Sequence, residues 1–118
     1  MSIRYFGQSA RLSEAVTANG FVFLSGMVPE NTEQADAETQ TADVLAQIDS
    51  WLQQSGSSKQ HIVEATVYLA DMHDYAAMNR AWDAWVDPQH SPVRACIEAK
   101  LAKPEWKVEI KVSAVQIK

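Results

Sequence analysis

Cysteine is all but missing. Cys96 is the only one in 118 residues, so no internal disulfide forms and no cysteine pair anchors a zinc site. Basic clusters are missing too. The 10 Lys and Arg never stand next to one another, and with 15 Asp and Glu the formal net charge is −5. A binder of nucleic-acid backbone needs clustered Lys and Arg, so no nucleic-acid partner is expected. No apolar stretch approaches the ~20 residues that span a bilayer, and Met1-Ser2-Ile3-Arg4-Tyr5 lacks the apolar core of a signal peptide. The expected compartment is the cytoplasm, with no membrane partner. Histidine is sparse, and His61, His73 and His90 share no ligand spacing, so neither a metal nor a cofactor is expected. Ser25-Gly26 is not a phosphate loop, because neither a glycine-rich run nor a lysine follows it.

What remains is an ordinary globular composition, 47% apolar and 21% charged, without linker, repeat or low-complexity tract. The length suits one domain over 1–118, large enough to bury roughly two-thirds of its unfolded surface. Val16 to Gly26 reads as two short strands around Ala18-Asn19-Gly20, since Asn-Gly tolerates positive φ. A helix is predicted from about Ala35 to Gln54, with Thr41, Val44, Leu45, Ile48, Trp51 and Leu52 on one stripe and Gly56 as its stop. Ile62 to Leu69 has the β-branched density of a buried strand. A second helix starts near Asp74 and buries Tyr75, Met78, Trp82 and Trp85, ending before Asp87-Pro88. Val93 to Leu101 and Lys107 to Val115 alternate apolar and polar residues, the mark of strands with one covered face. The short turn Ala102 to Trp106 predicts that these two strands pair as antiparallel neighbours. The order ββαβαββ then gives an α+β sandwich, a mixed β-sheet with two helices on one face.

On this pattern Arg94 and Glu109 both fall opposite the apolar face of their strands and near each other. Two readings stay open. One is a cross-strand ion pair on a solvated face. The other is a site in which the Arg94 fork grips a substrate carboxylate while Glu109 holds a water and shuttles its proton. Cys96, two residues from Arg94, shares that face. No base stands beside it, which favours a pocket-lining role over a nucleophilic one. Asn79 sits mid-helix at some cost in helix propensity, so it is either solvated or its amide is used.

The ordered segments Val22 to Pro29, Ala46-Gln47-Ile48, Ile62 to Asp71, Asp74 to Asn79, Ser91 to Cys96 and Lys107 to Ile110 resemble the reactive intermediate deaminase (RidA, YjgF-type) family over essentially the whole chain. Arg11-Leu12-Ser13-Glu14 and Ala81-Trp82-Asp83-Ala84-Trp85 look most like its YoaB-like branch. The resemblance implies a chorismate-mutase-like fold, a homotrimer with pockets between subunits, and hydrolytic deamination of 2-imino acids derived from 2-aminoacrylate. It places a carboxylate-binding arginine on Arg94, a water-activating glutamate on Glu109 and a pocket-lining cysteine on Cys96. Ser25, Gly26 and Asn79 match further pocket positions. One departure stands out: Leu12 occupies the place of a family tyrosine, which implies altered substrate preference or speed. A non-catalytic small-carboxylate-binding or regulatory trimer is the alternative the resemblance allows.

Overall fold

The structure, a computed structural model, describes residues 2–117; Met1 and Lys118, the two ends of the expected 1–118 domain, lie outside them. The strands and helices run β1 (Ile3–Phe6), β2 (Ala15–Ala18), β3 (Phe21–Leu24), α1 (Ala37–Gln54), β4 (Ile62–Leu69), α2 (Tyr75–Trp85), β5 (Val93–Glu98) and β6 (Val108–Val115). β1 is absent from the sequence reading. It is four residues long and pairs with β2 alone, Ile3 against Ala18 and Phe6 against Ala15, too short to show an alternation of its own.

Local chemistry accounts for most of the rest. Asn19 and Gly20 both take positive φ, 53° and 82°, the primed turn whose twist suits a two-residue hairpin. Asp36 caps α1 by accepting from the Thr39 amide, so the helix starts two residues later than the apolar stripe alone suggests. Val44, Leu45, Ile48 and Leu52 are fully buried, and Gly56 ends the helix at φ 85°. In α2, Met78, Ala81 and Trp82 are buried and Trp85 is partly buried against the core. Tyr75, expected in that stripe, is 43% exposed.

The six strands form one mixed sheet in the order β1-β2-β3-β6-β4-β5. β4 and β5 are parallel neighbours, joined by α2 as parallel strands require a crossover; the other pairings are antiparallel. The expected β5–β6 hairpin does not form. The chain leaves β5 and crosses the end of β4, where Ala99 N donates to Leu69 O and Ala70 N donates to Lys107 O. β6 then inserts between β3 and β4. Side chains explain the choice: Val108, Ile110, Val112 and Ala114 of β6 are all buried beneath the helices, so burial favours a central place for this strand. β5 turns Arg94, Cys96 and Glu98 to the helix side, and an edge is where such a strand is tolerated.

The parallel register also settles which face is which. Arg94 pairs with Ala65 and Cys96 with Val67, both partners buried under the helices. Val93, Ala95 and Ile97 therefore point to the helix-free face, where Val93 is 70% exposed and Ile97 45%. This reverses the expectation that the apolar residues of β5 face the helices. A shift of one residue in register exchanges every side chain between faces, and alternation alone does not say which set goes in.

Candidate functional site

Arg94 lies half-buried on β5, the edge strand, and its guanidinium reaches side chains of α2. Nη1 donates to Asn79 Oδ1 at 2.8 Å and approaches Met78 Sδ at 3.8 Å. Nη2 approaches the Tyr75 hydroxyl at 3.4 Å. The guanidinium carbon lies 5.1 Å from the centre of the Trp82 ring and 5.9 Å from that of Tyr75, within reach of a cation–π attraction. The cation is thus held by an amide, a phenol and two rings. Among the described residues no carboxylate forms an ion pair with it. A planar fork fixed in this way, with donors uncommitted, has the geometry to accept a carboxylate.

Glu109 occupies the other face. On β6 it pairs across to Tyr68 of β4, and it points away from the helices while Val108 and Ile110 point toward them. Burial pushes its carboxyl above the ordinary glutamate value, because desolvation disfavours the charged form. No cation offsets this among the described residues. Lys111, next on the same face, donates its ammonium to Leu24 O at 2.8 Å instead. No hydrogen bond satisfies the Glu109 carboxylate there either.

What stands against Glu109 is main chain. Met27 and Ile110 exchange both backbone hydrogen bonds, at 2.8 and 3.0 Å, which brings Gly26 against the glutamate. A Cβ on Gly26 would collide with Oε2 and come within 2.9 Å of Cδ. Gly26 is required here for room, not for its φ. Beside it, Ser25 N donates to Glu14 O at 3.0 Å, and Ser25 Oγ donates to Glu14 Oε1 at 3.1 Å.

The predicted residues thus fall into two groups. Arg94, Cys96 and Asn79 sit together on the helix side, and Ser25, Gly26 and Glu109 sit together on the open side. The convergence of Arg94 and Glu109 on one face of a single chain is overturned: β4 lies between their strands and the side chains leave opposite faces. Through Tyr68, Glu109 is level with Ile97, three residues beyond Arg94. The separation is roughly 10 Å along the strands and 10 Å across them. Leu12 is 50% exposed in the β1–β2 connection, its amide donating to Ser9 Oγ. Burial raises the Cys96 thiol, with the nearby Arg94 pulling it down more weakly, which keeps it a thiol and suits a lining role. His61, His73 and His90 pair locally with Ser58, Asp71 and Asp87, and no group of described residues could hold a metal ion.

Three further residues take part that local pattern does not mark as site residues. Trp82 is in the core as its spacing predicts and also lies against the Arg94 guanidinium, while Tyr75 leaves the predicted stripe and lies one turn before Asn79, on its face. Glu14 carries no motif of its own, but the two-residue turn at Asn19-Gly20 fixes a register in which it opposes Ser25.

Residues 3–116 match the family model described as Endoribonuclease L-PSP. The RutC family protein YoaB of Escherichia coli (strain K12) is 50% identical over 114 residues, covering 97% of this chain and 98% of that protein. A RutC family protein of Haemophilus ducreyi is 52% identical over 104 residues, 88% of each. The crystal structure of a member of the YjgF protein family from Neisseria meningitidis superposes with a TM-score of 0.97 at 62% identity, covering 100% of this chain and 98% of that one.

Proposed function

The chain belongs to the RidA/YjgF family, in its YoaB-like branch and with the chorismate-mutase-like fold, and from that membership we propose that it hydrolyses 2-imino acids, formed from enamines such as 2-aminoacrylate, to 2-oxo acids and ammonia. The observation that carries this reading is a pair of unfinished half-sites: among the described residues, a guanidinium with no acid paired to it and a desolvated carboxylate with no cation beside it. Each suits a partner that the described residues of its own chain do not bring to it.

A homotrimer joins them in this proposal, Arg94 of one protomer facing Glu109 of its neighbour across a cleft. The open sheet face supports such packing. Phe21 and Phe23 are each 42% exposed there, on the same half of the sheet as the exposed Ile3 and Tyr5 of β1, while Val93 and Ile97 are exposed at the far edge on β5. Exposed apolar side chains grouped in this way usually mark an interface. The proposed compartment is the cytoplasm, where pyridoxal-phosphate enzymes release such enamines.

Arg94 clamps the substrate carboxylate and sets the C=N carbon beside a water held by Glu109. The water oxygen bonds to that carbon as the C=N π pair moves to nitrogen, and Glu109 takes the proton released. Glu109 then returns the proton to nitrogen. Glu109 next takes the hydroxyl proton and passes it to the same nitrogen, so that the C–N bond breaks with its electron pair leaving as ammonia and the oxygen becomes that of the ketone. A carboxyl raised by burial is suited to both halves of this exchange, since its affinity for the proton lies nearer the working pH.

The family model's description raises RNA cleavage as a rival. A charge of −5 without adjacent basic residues gives a phosphate backbone little to bind. Ammonia release from freshly generated imino acids, measured for wild type, Arg94→Ala and Glu109→Gln, is the test. Rates at least a hundredfold above Arg94→Ala are expected, as one well-placed charged contact is worth on the order of 10²-fold. Equal rates for wild type and Arg94→Ala would end the proposal. Carboxylate binding that survives in Glu109→Gln without any change in turnover would instead point to a non-catalytic binder.

A further inference from the structure

The serine beside the glutamate has one proton, and the structure shows where it goes. Ser25 Oγ lies 3.1 Å from Glu14 Oε1. A carboxylate oxygen only accepts, so the hydroxyl is the donor in this contact. The same pair is tied a second time through the main chain, Ser25 N donating to Glu14 O at 3.0 Å, which holds the two side chains in register. Glu14 is itself half-buried and wedged against Gly7, where a Cβ would come within 2.8 Å of Glu14 Cγ and 2.7 Å of Trp51. The carboxylate is thereby kept near the serine.

With its proton committed, Ser25 presents only lone pairs to anything else. The next residue, Gly26, lies directly against the Glu109 carboxylate, whose oxygens are acceptors as well. We infer that Glu14 is a positioning residue that fixes Ser25 as an acceptor, so that this half of the site recognises the N–H of an imine and discriminates against the carbonyl of the ketone product. An imine nitrogen carries a hydrogen to donate; a ketone oxygen carries none, and against two acceptors it is left unpaired. The inference rests on the proposed imine hydrolysis and adds to it a means of releasing product.

Oxamate and pyruvate separate the two chemistries. Both are small planar carboxylates, but oxamate offers an NH2 group where pyruvate has only carbonyl and methyl. Calorimetric titration of the full-length wild type is expected to favour oxamate by about tenfold, the worth of one satisfied against one unsatisfied hydrogen bond. Ser25→Ala should erase that preference. Glu14→Gln should narrow or reverse it, because the amide can donate to Ser25 and free the hydroxyl proton for pyruvate, whose affinity should rise. A merely structural role for Glu14 would weaken both ligands together. An unchanged preference in both variants, or a wild type that hydrolyses imino acids while favouring pyruvate, overturns the inference and leaves the proposed hydrolysis standing. A wild type that binds neither ligand and releases no ammonia overturns both.

Discussion

Arg94 and Asn79 are joined by a 2.8 Å hydrogen bond from guanidinium to side-chain amide, and a neutral acceptor therefore stands where an acid would have neutralised the cation. The amide orients the fork without spending its charge. Trp82 below and Tyr75 beside it complete a cradle that remains electrostatically unsatisfied.

Replacing that amide by an acid changes one atom and the whole balance. Asn79→Asp puts a carboxylate in hydrogen-bond reach of Nη1, and the resulting ion pair competes with any incoming carboxylate. Binding of a 2-oxo acid should weaken about 10- to 100-fold, while the melting temperature holds or rises. Calorimetry and thermal unfolding on the same preparation check both arms.

How far the site could be read from the chain divides along the same line. The elements α1, α2, β4 and the Asn19-Gly20 hairpin follow from periodicity and turn chemistry and stand within a residue or two of their predicted bounds. The pairing of β5 and β6 does not. Short connections favour neighbours, but Val108, Ile110, Val112 and Ala114 gain more from the covered centre of the sheet than the chain loses by crossing β4. That exchange is a tertiary competition, invisible to any window of local sequence. Once it is settled, Arg94 turns under α2 and Glu109 turns out, and the nearness of the two within one chain that local alternation predicts does not hold.

Glu109 should leave a signature in pH. Burial raises its carboxyl, and only the ionised form can take a proton from water. The acidic limb of kcat/KM is therefore expected above the ordinary glutamate value of 4.5, with activity falling as pH drops through the raised value. Stability runs the other way. A group that holds its proton more tightly when folded costs stability as pH rises between its unfolded and folded values. Glu109→Gln should thus be relatively more stable at neutral pH, the advantage closing below the unfolded value. A rate profile flat to pH 4 would contradict the role given to this residue.

Gly26 tests the placement of the same carboxylate without touching its chemistry. Its φ is not in the left-handed region, so Gly26→Ala carries no backbone strain, only a methyl driven into the Glu109 carboxylate. The end of a flexible side chain can move aside, and the melting temperature should scarcely change. The base would be shifted by the order of an ångström, enough to lower kcat about 10²-fold while binding to Arg94, and hence KM, is largely kept. A fall in stability with undiminished kcat would show that the contact serves the fold alone.

The placement of the two halves on opposite faces makes a stronger demand than any single substitution. If each site takes Arg94 from one protomer and Glu109 from the next, Arg94→Ala and Glu109→Gln protomers are each inactive alone but complementary together. An interface at which the Glu109→Gln protomer supplies the arginine and the Arg94→Ala protomer supplies the glutamate is intact. Random co-assembly at equal amounts in a cyclic oligomer makes about one interface in four of this kind. Unfolding the two variants together and refolding them should recover about a quarter of wild-type activity, and refolding them apart should recover none. A site confined to one protomer gives no recovery under either condition, because every chain then lacks one of its own two groups.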